Sequence, residues 1–89
     1  MRDWILIGKL KRAKNRLKIF KVIPLDKPFM PSELVKIVYG KSSNTYFNLV
    51  SRALKELLNM ELVQVLNSKE KIGRLYQLTK KGKGIIKKL

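Results

Sequence analysis

The order of the elements predicted between residues 43 and 82 constrains the fold most: a helix, a β-hairpin and the start of another helix. The first segment, SSNTYFNLVSRALKELLNMELV, has the apolar spacing of an amphipathic helix. The runs ELVQVLN and RLYQLT flank SKEKIG and are typical of two paired strands, and Gly73 allows the tight backbone of the turn. We therefore expect a polar helix face beside a hairpin that has a basic tip.

The helix predicted over residues 43–59 has two opposite stripes. The apolar stripe is expected to be buried and contains Phe47, Val50, Leu54, Leu57 and Leu58. The other stripe carries amides, hydroxyls and cations and contains Thr45, Asn48, Arg52 and Lys55, flanked by Asn44 and Ser51. This polar stripe is either a ligand-binding face or the ordinary solvated face of a surface helix.

Two further helices are predicted ahead of this one. Residues 9–23 have helical apolar spacing and end before a proline, because the residue preceding proline disfavours helical backbone. The next helix begins at Pro31, whose missing N–H would be unpaired there anyway, and stops at Gly40. Ser42 or Ser43 then caps the third helix, which completes a helix-turn-helix unit. The buried face of the second helix is expected to be Leu34, Ile37 and Val38.

Both ends of the chain carry apolar residues. Residues 4–7 form either a helical turn packed on the core or an apolar arm held for a second subunit. Thr79 is expected to cap a last helix, in which Gly82 and Gly84 each lower the intrinsic stability by about 1 kcal/mol relative to alanine. The apolar residues of that helix, a natural dimer contact, are Ile85, Ile86 and Leu89.

The net charge selects the class of partner. The 89 residues include 21 Lys and Arg against 6 Asp and Glu, which gives a formal net charge of +15. A polyanion relieves self-repulsion on this scale, so acidic membranes, RNA and DNA all fit on charge alone. A chain of this length is expected to form a single domain over residues 1–89. Its hydrophobic content of 45% argues against intrinsic disorder.

The composition offers little material for enzyme chemistry. The chain has no cysteine and no histidine, which excludes disulfides, thiol nucleophiles, imidazole bases and Cys/His metal sites. Its six acids are spread along the chain, which argues against a catalytic pair of carboxylates. We expect no catalytic activity, no metal and no cofactor. The apolar run at residues 4–7 is too short for a signal peptide or a membrane span, so a cytoplasmic protein without a membrane partner is expected.

The polar stripe of the third helix suits the edges of DNA bases. Asparagine matches adenine, and arginine matches guanine O6 and N7, because their paired groups fit those edges. In a helix-turn-helix, the N-terminal part of the recognition helix makes the base contacts. The candidate DNA-binding residues of this helix are Ser43, Asn44, Thr45, Asn48, Ser51, Arg52 and Lys55.

Cations outside this helix are candidates for phosphate contacts. Those of the hairpin tip, which reach the DNA backbone or a narrow minor groove, are Lys69, Lys71 and Arg74. Hairpin tips are also charged simply for solubility, and Glu70 weakens the positive potential here. The first helix adds candidates that give affinity without sequence information, namely Lys11, Arg12 and Lys14. For each of these three, a solvated face is the alternative.

The sequence resembles archaeal winged-helix transcriptional regulators of the MarR-like and ArsR-like type in four segments: LKRAKNRLKIFKVI, PFMPSELVKI, VSRALKELLNMELVQVLN and GRLYQLTKKGKGIIKKL. The resemblance implies an α+β, mostly helical winged helix-turn-helix fold with a three-helix core, a β-hairpin wing over residues 62–79 and a C-terminal helix. It also implies double-stranded DNA as partner, bound by a homodimer with the recognition helix at 43–59 in the major groove. Two departures are Met30, where these regulators often have Ser or Thr, and the longer, more aromatic turn GKSSNTYFN.

These observations together predict a DNA-binding transcriptional regulator. A sequence-independent nucleoid or architectural protein would share the fold and the charge, and competition with random DNA distinguishes the two. An RNA- or ribosome-associated basic protein is another alternative, but Trp4 and Tyr46 offer little of the stacking platform that single-stranded RNA requires. A winged helix used only for protein interactions would not need a net charge of +15.

Overall fold

Helices make up most of the regular structure. The computed structural model describes residues 3–70 and 73–89, so Lys71 of the predicted wing lies outside the described residues. The elements in chain order are α1 (Asp3–Arg12), α2 (Lys14–Lys21), α3 (Pro31–Tyr39), α4 (Asn44–Asn59), β1 (Val63–Val65), β2 (Tyr76–Leu78) and α5 (Lys80–Lys88). The fold is α+β and mostly helical, as the sequence predicts.

The boundaries of α3 follow from local chemistry and confirm the prediction. Pro31 occupies the first turn, and the carboxylate of Glu33 accepts from the N–H of Met30 at 3.3 Å. This bond satisfies a backbone donor at a position that lacks a hydroxyl side chain. Gly40 ends the helix in the left-handed region, with φ of 74°, where a residue without Cβ is least strained.

The caps of α4 and α5 are also those predicted. Ser43 Oγ accepts from the N–H of Tyr46 at 3.2 Å, and Thr79 Oγ1 accepts from the N–H of Gly82 at 3.0 Å. The Thr79 hydroxyl also donates to the carbonyl of Glu61 at 2.7 Å. Thr79 therefore both starts α5 and attaches it to the turn that follows α4.

The prediction of a single helix over residues 9–23 is wrong. The chain forms α1 and α2 instead, separated at Ala13, whose backbone is extended with φ of −115° and ψ of 98°. The break changes the direction of the chain and brings Leu6 of α1 into the same buried cluster as Phe20 of α2. Residues 4–7 lie within α1, which agrees with the helical alternative, but Trp4 remains 67% exposed.

One buried cluster draws on every helix and both strands, and none of its members is polar. Its residues are Leu6, Leu10, Ile19, Phe20, Ile23, Phe29, Leu34, Val35, Val50, Ala53, Leu54, Leu57, Leu62, Val63, Leu78 and Ile85. Three predicted core residues are instead exposed: Ile37 by 58%, Phe47 by 45% and Leu58 by 36%. Val35 replaces Ile37 on the buried face of α3, because α4 packs against the side of α3 that carries Leu34 and Val35.

The hairpin is shorter than the sequence predicts. Val63 pairs with Leu78, and Val65 with Tyr76, over three residues in each strand. Beyond the strands the Asn67 side chain organises the loop, since its Oδ1 accepts from the N–H of Leu75 at 2.7 Å and its Nδ2 donates to the carbonyl of Gly73 at 3.2 Å. Gly73 has a φ of 72°, in keeping with the tight backbone expected there.

The hairpin is joined to the start of α3 through Phe29. The N–H of each of Phe29 and Tyr76 donates to the carbonyl of the other, both at 2.9 Å. The two rings stack with their centroids 5.9 Å apart. This bridge fixes the position of the hairpin relative to the N-terminus of α3.

The packing of α5 changes the interpretation of the C-terminal end. Ile85 is fully buried in the core of its own chain, and Ile86 and Leu89 are half-buried against it. Ile85 is therefore not exposed for the dimer contact that the sequence suggested. No helix within residues 3–70 and 73–89 is both long enough and apolar enough to cross a membrane.

Candidate nucleic-acid interface

The N-terminal end of α4 is positioned by an aromatic pair that the sequence did not reveal. The rings of Tyr39, at the end of α3, and Tyr46, in the first turn of α4, stack with their centroids 4.3 Å apart. Lys18 Nζ lies 5.8 Å from the Tyr39 ring centre, and Lys41 Nζ lies 5.9 Å from that of Tyr46, so each ring has a cation within range. The signal in the sequence was an aromatic residue on each side of the short turn GKSSN.

The predicted polar face of α4 is exposed. Its five exposed candidates are Asn44, Thr45, Asn48, Arg52 and Lys55, and Ser51 is half-buried at its edge. Ser43 precedes the helix, and its oxygen is engaged by the capping bond to the N–H of Tyr46. The face combines amides, a hydroxyl and cations over the length of a 16-residue helix.

The one acidic residue of α4 is engaged in an ion pair with Arg16. Glu56, the acidic residue of α4, pairs with Arg16, whose Nη1 lies 2.6 Å from Glu56 Oε2. The second guanidinium nitrogen, Nη2, donates to the carbonyl of Lys9. Arg16 is therefore a structural arginine that links α1, α2 and α4, and nothing in the sequence pattern indicates this role.

A groove separates α4 from the hairpin. It has a volume of about 490 Å³, and its lining includes Ser32 at the start of α3, Phe47 and Ser51 on α4, and Arg74 and Tyr76 on the hairpin. A second hollow of about 280 Å³ is also lined by Phe47, together with residues that include Ser43 and Asn44. The Phe47 side chain thus borders two open spaces, which explains its exposure.

The predicted wing residues are partly described. Lys69 and Arg74 are exposed, and Arg74 Nε donates to the carbonyl of Glu70 at 2.9 Å. This bond holds the guanidinium group beside the groove that Ser51 also lines. The structure therefore brings Arg74 near one of the predicted α4 residues.

The candidate phosphate contacts of the first helix lie elsewhere. Lys11, Arg12 and Lys14 are exposed at the junction of α1 and α2, and they line neither the groove nor the second hollow.

The acidic side chains that the structure describes are not clustered as metal ligands. Within residues 3–70 and 73–89, no group of three or more His, Cys, Asp or Glu residues is placed to hold a metal ion. Three acids that are described instead form ion pairs: Glu56 with Arg16 at 2.6 Å, Asp26 with Lys83 at 3.4 Å and Glu61 with Lys81 at 3.8 Å. The geometry of the α4 face and the hairpin is thus that of a surface offering cations and hydrogen-bonding groups.

Comparisons with protein families, with curated proteins and with solved structures found no match to this chain.

Proposed function

We propose that this protein is a winged helix-turn-helix regulator of transcription that binds double-stranded DNA. In this proposal α4 enters the major groove, and the hairpin contacts the flanking backbone or the adjacent minor groove. The observation that carries the proposal is the exposed face of α4, rich in amides and cations, beside a hairpin that holds Arg74 across an open groove.

The dimensions and chemistry of B-DNA fit this arrangement. Its major groove is about 12 Å wide and accepts one α-helix, and its base edges present acceptors and donors that match arginine and asparagine. Arg52 and Asn48 lie one helical turn apart on the exposed side of α4. Both side chains therefore have access to base edges when the helix is in the groove.

The ion pair between Arg16 and Glu56 also supports the proposal. A carboxylate on the exposed face of α4 would repel phosphates, whereas the one acid of this helix is engaged by a partner on α2. The net charge of +15 then acts on a polyanion without an unpaired acid on α4 itself.

Binding as a homodimer belongs to the same proposal. Trp4 on α1 is 67% exposed, whereas Ile85 on α5 is buried within its own chain, so α1 is the better placed of the two ends for contact with a second copy. Sedimentation equilibrium tests this, because Trp4→Ala is expected to weaken a dimer that wild type forms. Equal monomer fractions in the two proteins would exclude α1.

Duplex type gives a direct test of the function. Fluorescence anisotropy compares DNA and RNA duplexes of the same sequence and length at one salt concentration. We expect tighter binding to DNA, because the major groove of A-form RNA is too deep and narrow for side chains on a helix to read. Equal or tighter binding to RNA would contradict the proposal and favour an RNA-associated protein.

A further inference from the structure

Phe47 is an apolar ring on a face that otherwise offers polar groups. It lies in the first half of α4, one residue before Asn48 and four before Ser51, and its side chain is 45% exposed. Leaving an aromatic ring in water forgoes the free energy of burying it. An apolar group on a bound partner would recover part of that free energy.

The groove beside Phe47 is where one DNA strand would run. A single sugar–phosphate strand separates a major groove from the neighbouring minor groove. With α4 in the first and the hairpin at the second, that strand passes between them. The open space of about 490 Å³ lies at this place, between Ser51 on α4 and Arg74 on the hairpin. The arginine guanidinium and the serine hydroxyl are both donors to phosphate oxygens.

The base edges of that strand restrict what meets the ring. In the major groove the C5-methyl group of thymine is the apolar feature, and the other bases present polar atoms there. This methyl group projects toward the backbone of its own strand, which is the side on which Phe47 lies. We propose that Phe47 contacts the C5-methyl group of a thymine on the strand that passes between α4 and the hairpin, which makes that thymine a specificity determinant.

This inference rests on the proposed function, and removal of the methyl group tests it. Duplexes retained by the wild-type protein are first selected from a random pool. Each thymine of the selected site is then replaced in turn by deoxyuridine, which lacks only the methyl group. At one position of the contacted strand we expect this replacement to weaken binding about fourfold. That factor corresponds to the free energy of burying one methyl or methylene group, about 0.8 kcal/mol.

Two variants assign the effect to the ring. Phe47→Ala is expected to bind thymine and deoxyuridine duplexes equally, whereas Phe47→Leu retains part of the discrimination. Ile37→Ala is the matched control, because Ile37 is also an exposed apolar residue, at 58%, but lines neither hollow. It should discriminate as wild type does. Thermal unfolding of each variant confirms that it is folded.

The outcomes distinguish failure of this inference from failure of the proposed function on which it rests. Duplex binding by wild type with no thymine sensitive to loss of its methyl group would overturn the role of Phe47 and leave DNA binding intact. Full discrimination by Phe47→Ala would overturn it equally. Absence of duplex binding by wild type would overturn the proposed function as well.

Discussion

Arg16 and Glu56 form a short ion pair, with 2.6 Å between Nη1 of the arginine and Oε2 of the glutamate. The arginine side chain is only 16% exposed and the glutamate 45%. Since Arg16 also donates to the carbonyl of Lys9, it connects α4 to the helices that support it. The pair has two consequences: it links α4 to α2, and it offsets the charge of the one acid of α4.

Substitution of Arg16 by alanine is expected to lower the free energy of unfolding by about 1–2 kcal/mol. The change removes charge-assisted hydrogen bonds from a mostly buried group, and the exposure of Glu56 limits the loss. Urea denaturation measures it. The control is Lys81→Ala, whose partner Glu61 lies 3.8 Å away and is 81% exposed, and which should cost less than about 0.5 kcal/mol. Equal losses would show that Arg16 is not structural.

The two glycines of α5 should respond to alanine in opposite ways. A Cβ at Gly82 would collide with the backbone carbonyl of Leu62, whereas nothing lies within 4 Å of a Cβ at Gly84. Gly82→Ala is therefore expected to destabilise the protein by about 1–3 kcal/mol through overpacking. Gly84→Ala should stabilise it by up to about 1 kcal/mol through helix propensity. Thermal unfolding of both variants measures the difference, and a gain for Gly82→Ala would contradict the close packing of α5 on Leu62.

Arg52 is expected to contact a base edge and so contribute to the preference for one DNA sequence. Arg52→Ala should reduce the preference for the selected site over random DNA by about 1–3 kcal/mol, the value of a bidentate contact with guanine. Competition binding with the two DNAs measures that ratio. The ratio would stay unchanged if Arg52 contacted only phosphates or solvent.

Arg74 is expected to supply affinity without sequence information. Arg74→Ala should weaken binding to the selected site and to random DNA by the same factor. It should also lower the slope of log affinity against log salt by about 0.9, the value of one lost phosphate contact. Titrations at several salt concentrations measure the slope. A selective loss at the preferred site would instead place Arg74 among the base-reading residues.

Local chemistry explains which parts of the fold were predictable. Gly40, Ser43 and Thr79 mark helix boundaries through bonds to residues a few positions away, and Pro31 marks one because it lacks an N–H, so the sequence indicates these boundaries directly. The break at Ala13 was missed because helical apolar spacing continues through it. The chain turns there because α1 and α2 both pack against the same core, and this long-range requirement is not visible in the local pattern.

Long-range packing explains what the sequence could not reveal about the candidate site. Phe47 has the spacing of a core residue on α4, and its exposure depends on how far α3 and the hairpin stand from that helix. The partner of Arg16 is likewise 40 positions away in the chain. The polar residues of α4, by contrast, are exposed as predicted, apart from the half-buried Ser51, because Val50, Leu54 and Leu57 turn the other side of the helix toward the core.

Selection of bound duplexes from a random pool at two salt concentrations tests the central claim most directly. The account predicts that one preferred sequence is enriched. It also predicts that affinity falls by about 10³–10⁵-fold between about 50 and 200 mM salt if roughly six to ten phosphates are contacted. Binding with the same salt dependence but without any preferred sequence would indicate an architectural protein instead of a regulator. Failure to retain duplex DNA at the lower salt concentration would contradict the account altogether.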